Sequence, residues 1–144
     1  MFQAEVRDEL HHVLISNQAS ADNTEYWIGL NDIENEGTYT WYHSGQGSER
    51  FTAWGQGEPT ELEGEDCVAM SQEHFLFWAD RPCNETRDVV CFAPEYLNPC
   101  RSPFTYVPEA DTCYYYGELA GNYITYQEAL GICTGMADDV YLVS

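Results

Sequence analysis

Six cysteines, at positions 67, 83, 91, 100, 113 and 133, constrain this chain more than any other feature. None forms the close C-x-x-C pair that zinc sites and thiol redox motifs need. An even number at wide spacing reads as three disulfides, which form and persist in an oxidising, extracellular compartment. Spacing alone does not choose among the possible pairings. A chain of 144 residues fits one domain with a proper core. Asn84-Glu85-Thr86 matches the N-glycosylation pattern, in keeping with secretion. The opening MFQAEVRDEL lacks the apolar centre of a leader, so secretion would imply a leader already removed. No apolar run approaches the roughly 18 residues of a membrane helix, so no membrane insertion is expected.

Charge narrows the partners. The chain carries 25 Asp plus Glu against 5 basic residues, all arginine, for a net charge of −20. Such a surface repels phosphate backbones and anionic lipid, which argues against nucleic acid and membranes. Cations, cationic partners and mineral faces suit it better, and for residues far from any site the charge reads simply as solubility.

Apolar spacing predicts two helices. Val6, Leu10, Val13 and Leu14 follow helical intervals over residues 4–16 and predict an inward stripe, with Glu5, Asp8, Glu9 and His12 on the wetter side. A second helix is expected from Thr125, where Thr125 and Glu128 fit a capping box and Gly135 is a plausible stop. Between them, Tyr26–Leu30, Thr38–Tyr42, Cys67–Ser71, Phe75–Trp78 and Asp88–Phe92 read as short strands in a loop-rich α+β fold. The stretch Ser44–Asp66 holds five glycines and reads as a long ordered loop, a kind of segment that is usually functional in a compact domain.

Trp27-Ile28-Gly29-Leu30 matches the WIGL signature of the C-type lectin-like family. The match continues in order through Gly37, Trp41, Trp54, Glu58-Pro59, Glu65-Asp66-Cys67-Val68, Trp78, Asp80, Cys83 and Val90-Cys91. The family begins with a cysteine-linked hairpin, a helix ending in cysteine and an LVS strand. Here those features stand at the other end: Cys100, Cys113-Tyr114-Tyr115, Thr125 to Cys133, and Tyr141-Leu142-Val143-Ser144. The resemblance therefore implies the long-form family fold in permuted order, with 1–92 as the family's C-terminal part, 93–99 as a bridge and 100–144 as its N-terminal part. Joining Ser144 to Phe2 reads as uninterrupted family sequence, which places the chain ends near each other. A slice across two tandem domains is the alternative, and a domain-swapped dimer follows if the halves pair between chains. The same resemblance implies the disulfides Cys91–Cys133, Cys67–Cys83 and Cys100–Cys113.

Glu58, Glu61, Glu63, Glu65 and Asp66 crowd five carboxylates into nine residues. Taken alone, the run reads as a solvated acidic loop. Held in an ordered loop, such a set gains from a bound cation, and an all-oxygen donor set without His or Cys favours calcium. The resemblance implies an auxiliary calcium site at Asp32, Glu36, Glu61, Glu65 and Asp66, a set that looks complete. It also implies a sugar-binding calcium site built from EPN and WND triplets. This chain reads Glu58-Pro59-Thr60 and Trp78-Ala79-Asp80, so Glu58, Glu65 and Asp80 remain while both asparagines are absent. Each asparagine would give calcium an oxygen and a sugar hydroxyl an N–H donor. Ala79 offers neither and Thr60 only a short hydroxyl, so ligand binding at Glu58, Thr60, Glu65 and Asp80 is expected to be degenerate.

The four tryptophans read as packing residues, adjacent His11 and His12 cannot form an H-x-x-x-H metal pair, and His43 and Ser44 lack a nucleophile context. No enzyme is expected. The reading is a secreted, calcium-binding lectin-like module for glycans. The alternative is a structural or surface-acting protein that uses the same fold on a mineral, ice or protein ligand.

Overall fold

The computed structural model describes residues 9–42, 45–48, 51–60, 62–93, 100, 104–117, 123–136 and 141–142. Helix α1 spans Glu9–Asp22, followed by strands β1 (Tyr26–Asn31), β2 (Thr40–Trp41) and β3 (Cys67–Ser71). A 3-10 turn, Gln72–His74, leads into β4 (Phe77–Arg81) and β5 (Asp88–Ala93). Strands β6 (Thr105–Val107) and β7 (Thr112–Tyr116), helix α2 (Tyr126–Met136) and strand β8 (Tyr141–Leu142) complete the order.

The strands form one sheet, ordered β4-β3-β1-β5-β7-β6, with β2 on β1 and β8 on β5. As expected of this fold class, most strand pairings are antiparallel; β1 and β5 pair in parallel, Trp27 opposite Val89, and join the two sets of strands. β1 is buried along its whole length, so its near-continuous apolar sequence reflects cover on both faces. Alternation then sorts the core. Tyr26, Ile28, Leu30, Val68, Met70, Val90 and Phe92 join Ile15 and Ala19 of α1 in one cluster. Trp27, Cys67, Ala69, Val89 and Cys91 join Tyr126, Ala129, Leu130 and Cys133 of α2 in the other.

The residue pairs Cys67–Cys83, Cys91–Cys133 and Cys100–Cys113 are bridged, the pairing the family resemblance implies. Further bonds tie the chain's two parts. Trp27 Nε1 donates to the Ile124 carbonyl at 2.9 Å, Asn31 Nδ2 to the Tyr126 hydroxyl at 3.2 Å, and Arg87 and Ile124 exchange both backbone bonds at 2.8 Å. The capping box forms as expected: the Thr125 N–H donates to Glu128 Oε1 and the Glu128 N–H to Thr125 Oγ1. α2 nevertheless runs to Met136, past Gly135, so that glycine is not the stop. The expected closeness of Met1 and Ser144 lies outside the described residues.

The expected stripe of α1 is corrected. His12, Ile15 and Ala19 are buried, whereas Leu10 and Val13 are 44% and 40% exposed. Residues 4–8 of the predicted helix lie outside the described residues, and the helix continues six residues beyond Ser16 to Asp22. The reason is aromatic packing: the His12 ring sits 5.3 Å from Phe77 and 6.3 Å from both Phe51 and Trp78, so an imidazole wins the inward position over two aliphatics. Predicted Phe75–Trp78 is also shifted, because Phe75 and Leu76 form a left-handed turn and the strand starts at Phe77.

Burial disfavours the charged imidazole and lowers the His12 pKa below its ordinary 6.5, with Glu9 opposing less strongly. The unfolded chain therefore takes up a proton before the folded one does. The contribution is fully present above the unfolded pKa and is lost as pH falls through the folded value. His12→Leu is expected to flatten the decline in melting temperature between pH 7 and pH 5 relative to wild type, measured by circular dichroism. Equal slopes in the two proteins would contradict a neutral buried His12.

Candidate functional site

The loop between β2 and β3 folds onto the ends of β1 and β4 and gathers two carboxylate groups. In the first, Asp32 follows β1 and Asp66 precedes β3, and the Asp32 N–H donates to the Asp66 carbonyl at 3.0 Å. Glu36 reaches back across the turn after β1. Ligand atoms of Asp32, Glu36 and Asp66 lie within 4.8 Å of one another. Asp32 is 2% exposed. Its Oδ2 accepts from the Gly37 N–H at 2.8 Å, and Gly37 can present that N–H because its φ of 85° costs a glycine little. Asp32 Oδ1 and Asp66 Oδ1 are buried without a hydrogen-bond partner.

Such orphaned acceptors are expensive unless something positive meets them. Burial, then the neighbouring Glu36 carboxyl, pushes the Asp32 pKa up to about 6, and burial followed by Asp32 raises that of Asp66. Three hard oxygen ligands, two with unused lone pairs, fit a calcium ion, which takes carboxylate oxygens in flexible geometry. Glu61, a further expected ligand, lies outside the described residues.

The second group is closed on itself. Thr60 donates its N–H to Asp80 Oδ1 at 2.9 Å, and its hydroxyl lies 3.0 and 3.1 Å from the two Asp80 oxygens and 3.2 Å from Glu65 Oε2. One hydroxyl hydrogen serves one of these acceptors at a time. Tyr39 donates to Asp80 Oδ2 at 2.9 Å, and its phenol is pushed far up by burial and by Asp80, so it stays a donor. Glu58 accepts from the Asp80 N–H at 3.1 Å through Oε1. Its Oε2 lies 3.2 Å from His74 Nε2 and 3.5 Å from Arg81. Burial still raises the Glu58 pKa, with Asp80 adding to the rise and Arg81 opposing it. Glu65 thus turns toward Thr60 and Asp80 in this arrangement, while Asp32, Glu36 and Asp66 stand together.

His74 and Arg81 were not singled out from the sequence. The signal available was the scarcity of basic residues, which makes an arginine directly after Asp80 a natural counter-charge for the acids there. Ala79 is fully buried in β4 opposite Ala69. Asn84 is exposed in the turn after β4, with Thr86 exposed two residues on, so the glycosylation triplet is open to solvent.

A helix-flanked mixed sheet, three disulfides and a long loop carrying acidic clusters define a small extracellular-type binding domain of the C-type lectin-like fold. The family model of the Lectin C-type domain matches residues 3–93, and the chain belongs to that family. Lectin BRA-3 of Megabalanus rosa is 33% identical over 94 residues, covering 65% of this chain and 56% of that protein. C-type mannose receptor 2 of Homo sapiens is 32% identical over 130 residues, 83% of this chain and 8% of the receptor. The solved structure of herring type II antifreeze protein is 23% identical, with a TM-score of 0.49 over 56% of this chain and 62% of that one. The chain spans about half the length of relatives such as BRA-3 and a small part of the receptor. Domains of this family bind ligands and are not enzymes. Among the described residues no helix is long and apolar enough to cross a membrane.

Proposed function

We propose that the chain is a secreted lectin-like binding module that holds one structural calcium at Asp32, Glu36 and Asp66, with a degenerate site at Glu58, Thr60, Glu65 and Asp80. The observation that carries this reading is the pair of buried, unpartnered oxygens, Asp32 Oδ1 and Asp66 Oδ1. Glu61 and Glu65 are the further ligands that the family resemblance implies for this shell. The calcium neutralises the crowded carboxylates and pins the turn after β1 to the start of β3. Asn84 is the expected glycan attachment point. A cation that binds the folded chain alone stabilises it by mass action, by about 2.7 kcal/mol at a hundredfold excess over Kd. Chelation is therefore expected to lower the melting temperature by on the order of 10 °C. Asp32→Ala and Asp66→Ala should each abolish most of that difference, and a calcium-insensitive wild-type melt would contradict the reading.

The degenerate site disfavours ordinary hexose recognition. Both Glu58 oxygens face internal donors and both Asp80 oxygens face Thr60 or Tyr39. A calcium there would have to displace Arg81 and His74, and a sugar would find no asparagine N–H. We expect mannose and galactose to bind at millimolar strength or weaker, about −4 kcal/mol. Restoring Thr60→Asn and Ala79→Asn together with Arg81→Ser should create calcium-dependent mannose binding, read by calorimetry. Tight hexose binding by the unaltered protein would overturn the point. The retained acids also support the alternative of a non-sugar ligand on a cationic or mineral surface.

For the domain order, we infer that 1–92 and 100–144 close into one permuted lectin-like domain around Cys91–Cys133. A second reading, in which such halves pair between neighbouring units or chains, is supported by the human receptor. No stretch holding 83% of this chain fits within residues 1–93, so that alignment continues past them. Non-reducing peptide mapping of a mixture of isotope-labelled and unlabelled chains should find Cys91 joined to Cys133 only within like-labelled peptides. Mixed-label pairs would establish a swapped dimer.

A further inference from the structure

Beside the Thr60 cluster lies a groove of about 420 Å³ lined by Trp54, Phe75 and Phe77, with Glu73 and His74 on its rim. Single exposed aromatics are ordinary, but contiguous ones on a charged surface mark contact sites. Phe75 is 88% exposed and Phe77 45%. The backbone goes out of its way to hold Phe75 there. Phe75 and Leu76 both adopt left-handed φ angles, 56° and 68°, in a region that side chains other than glycine disfavour.

Three anchors sustain that turn. The Leu76 N–H donates to the Ser71 carbonyl at 2.7 Å, the Leu76 side chain is buried, and the loop packs so closely on Gly55 that a Cβ there would lie 2.6 Å from His74 Cβ. The ring of Phe75 is thus presented from a fixed support, the condition for an aromatic anchor with little ordering cost on binding.

The charges around the groove select its occupant. Glu73 lines it with a carboxylate that is 77% exposed and 3.3 Å from Arg81, whereas Glu58 is buried and held by His74 and Arg81. The exposed Glu73 carboxylate thus stands on the rim of an aromatic groove, within a chain of net charge −20. Aromatic faces attract guanidinium and ammonium groups, and a nearby carboxylate orients them.

We propose that this groove docks a basic segment of a partner protein, an arginine or lysine flanked by apolar residues. The cation lies over Phe75 and Trp54 with its head toward Glu73, and the apolar neighbour packs on Phe77. This site goes beyond the calcium reading and uses none of the Asp32, Glu36 and Asp66 ligands, so either can fail alone.

The test is an NMR titration of the oxidised chain at constant salt with acetyl-(Leu-Arg)3-amide, and with acetyl-(Leu-Glu)3-amide as its charge-reversed control. Saturable binding of the basic peptide is expected, with shifts concentrated at residues 53–56 and 72–77. Phe75→Ser should weaken it by about tenfold without changing the melting temperature, since the ring lies outside the core. Glu73→Gln should weaken it by about threefold. Glu34→Gln with Glu109→Gln, exposed acids elsewhere, should leave affinity within about twofold. Absence of saturable binding, equal binding of the acidic peptide, an unaltered affinity in Phe75→Ser, or an equal loss from the remote pair would each overturn the proposal.

Discussion

Strand β5 and its bridge from Cys91 to Cys133 carry the architecture. The first residues of β5 pair in parallel with β1, and the later ones pair on opposite edges with β7 and β8. One strand thereby joins the family-matched segment to the chain that follows it, and the disulfide locks the underside of the strand to α2. Closing a loop of this length removes on the order of 4 kcal/mol of unfolded-state entropy in the chain-entropy model. Buried bonds reinforce the junction from Trp27 to Ile124 and from Asn31 to Tyr126, so the two parts share one core.

That junction also fixes the loop chemistry. β1 ends at Asn31 and β3 begins at Cys67, so their antiparallel pairing brings Asp32 beside Asp66. β3 and β4 are in register from Cys67 to Ser71, which sets Asp80 opposite Val68 and beneath Thr60. The two acidic groups then meet the same electrostatic problem in different ways. Around Asp80 and Glu58 the protein supplies its own donors from Thr60, Tyr39, His74 and Arg81. Around Asp32 and Asp66 it leaves two buried oxygens without a hydrogen-bond partner, the cost that the proposed calcium offsets.

Much of this was legible in advance. Short aromatic and apolar runs between turn residues placed β1, β3 and β5 to within a residue at each end, and the Thr125-to-Glu128 spacing located the start of α2 because a capping box is a local device. The acids of both clusters were named: carboxylate crowding along the chain marks the run from Glu58 to Asp66, and the family resemblance implied Asp32, Glu36 and Asp80. The inward face of α1 was not legible. Leu10 and Val13 have the right spacing, but three aromatic rings from distant segments meet His12 instead, and helical periodicity carries no record of them. The left-handed turn at Phe75 was equally hidden, because no glycine or asparagine marks it and it is sustained by the Leu76-to-Ser71 bond, the burial of Leu76 and the close packing on Gly55.

The sequence by itself determined the family, the alternation that sorts the core between two faces, the pairing of cysteines implied by kinship and the acidic character of the long loop. These depend on local pattern, or on matches that hold position by position. Tertiary structure decided which carboxylates stand together, which are answered by internal donors, and which aromatic rings stay outside. Those outcomes turn on separations of a few ångströms between residues tens of positions apart, such as Glu58 and Arg81 or Tyr39 and Asp80. Electrostatic and hydrogen-bond energies change steeply over such distances. Only the folded register of β3, β4 and β5 sets them.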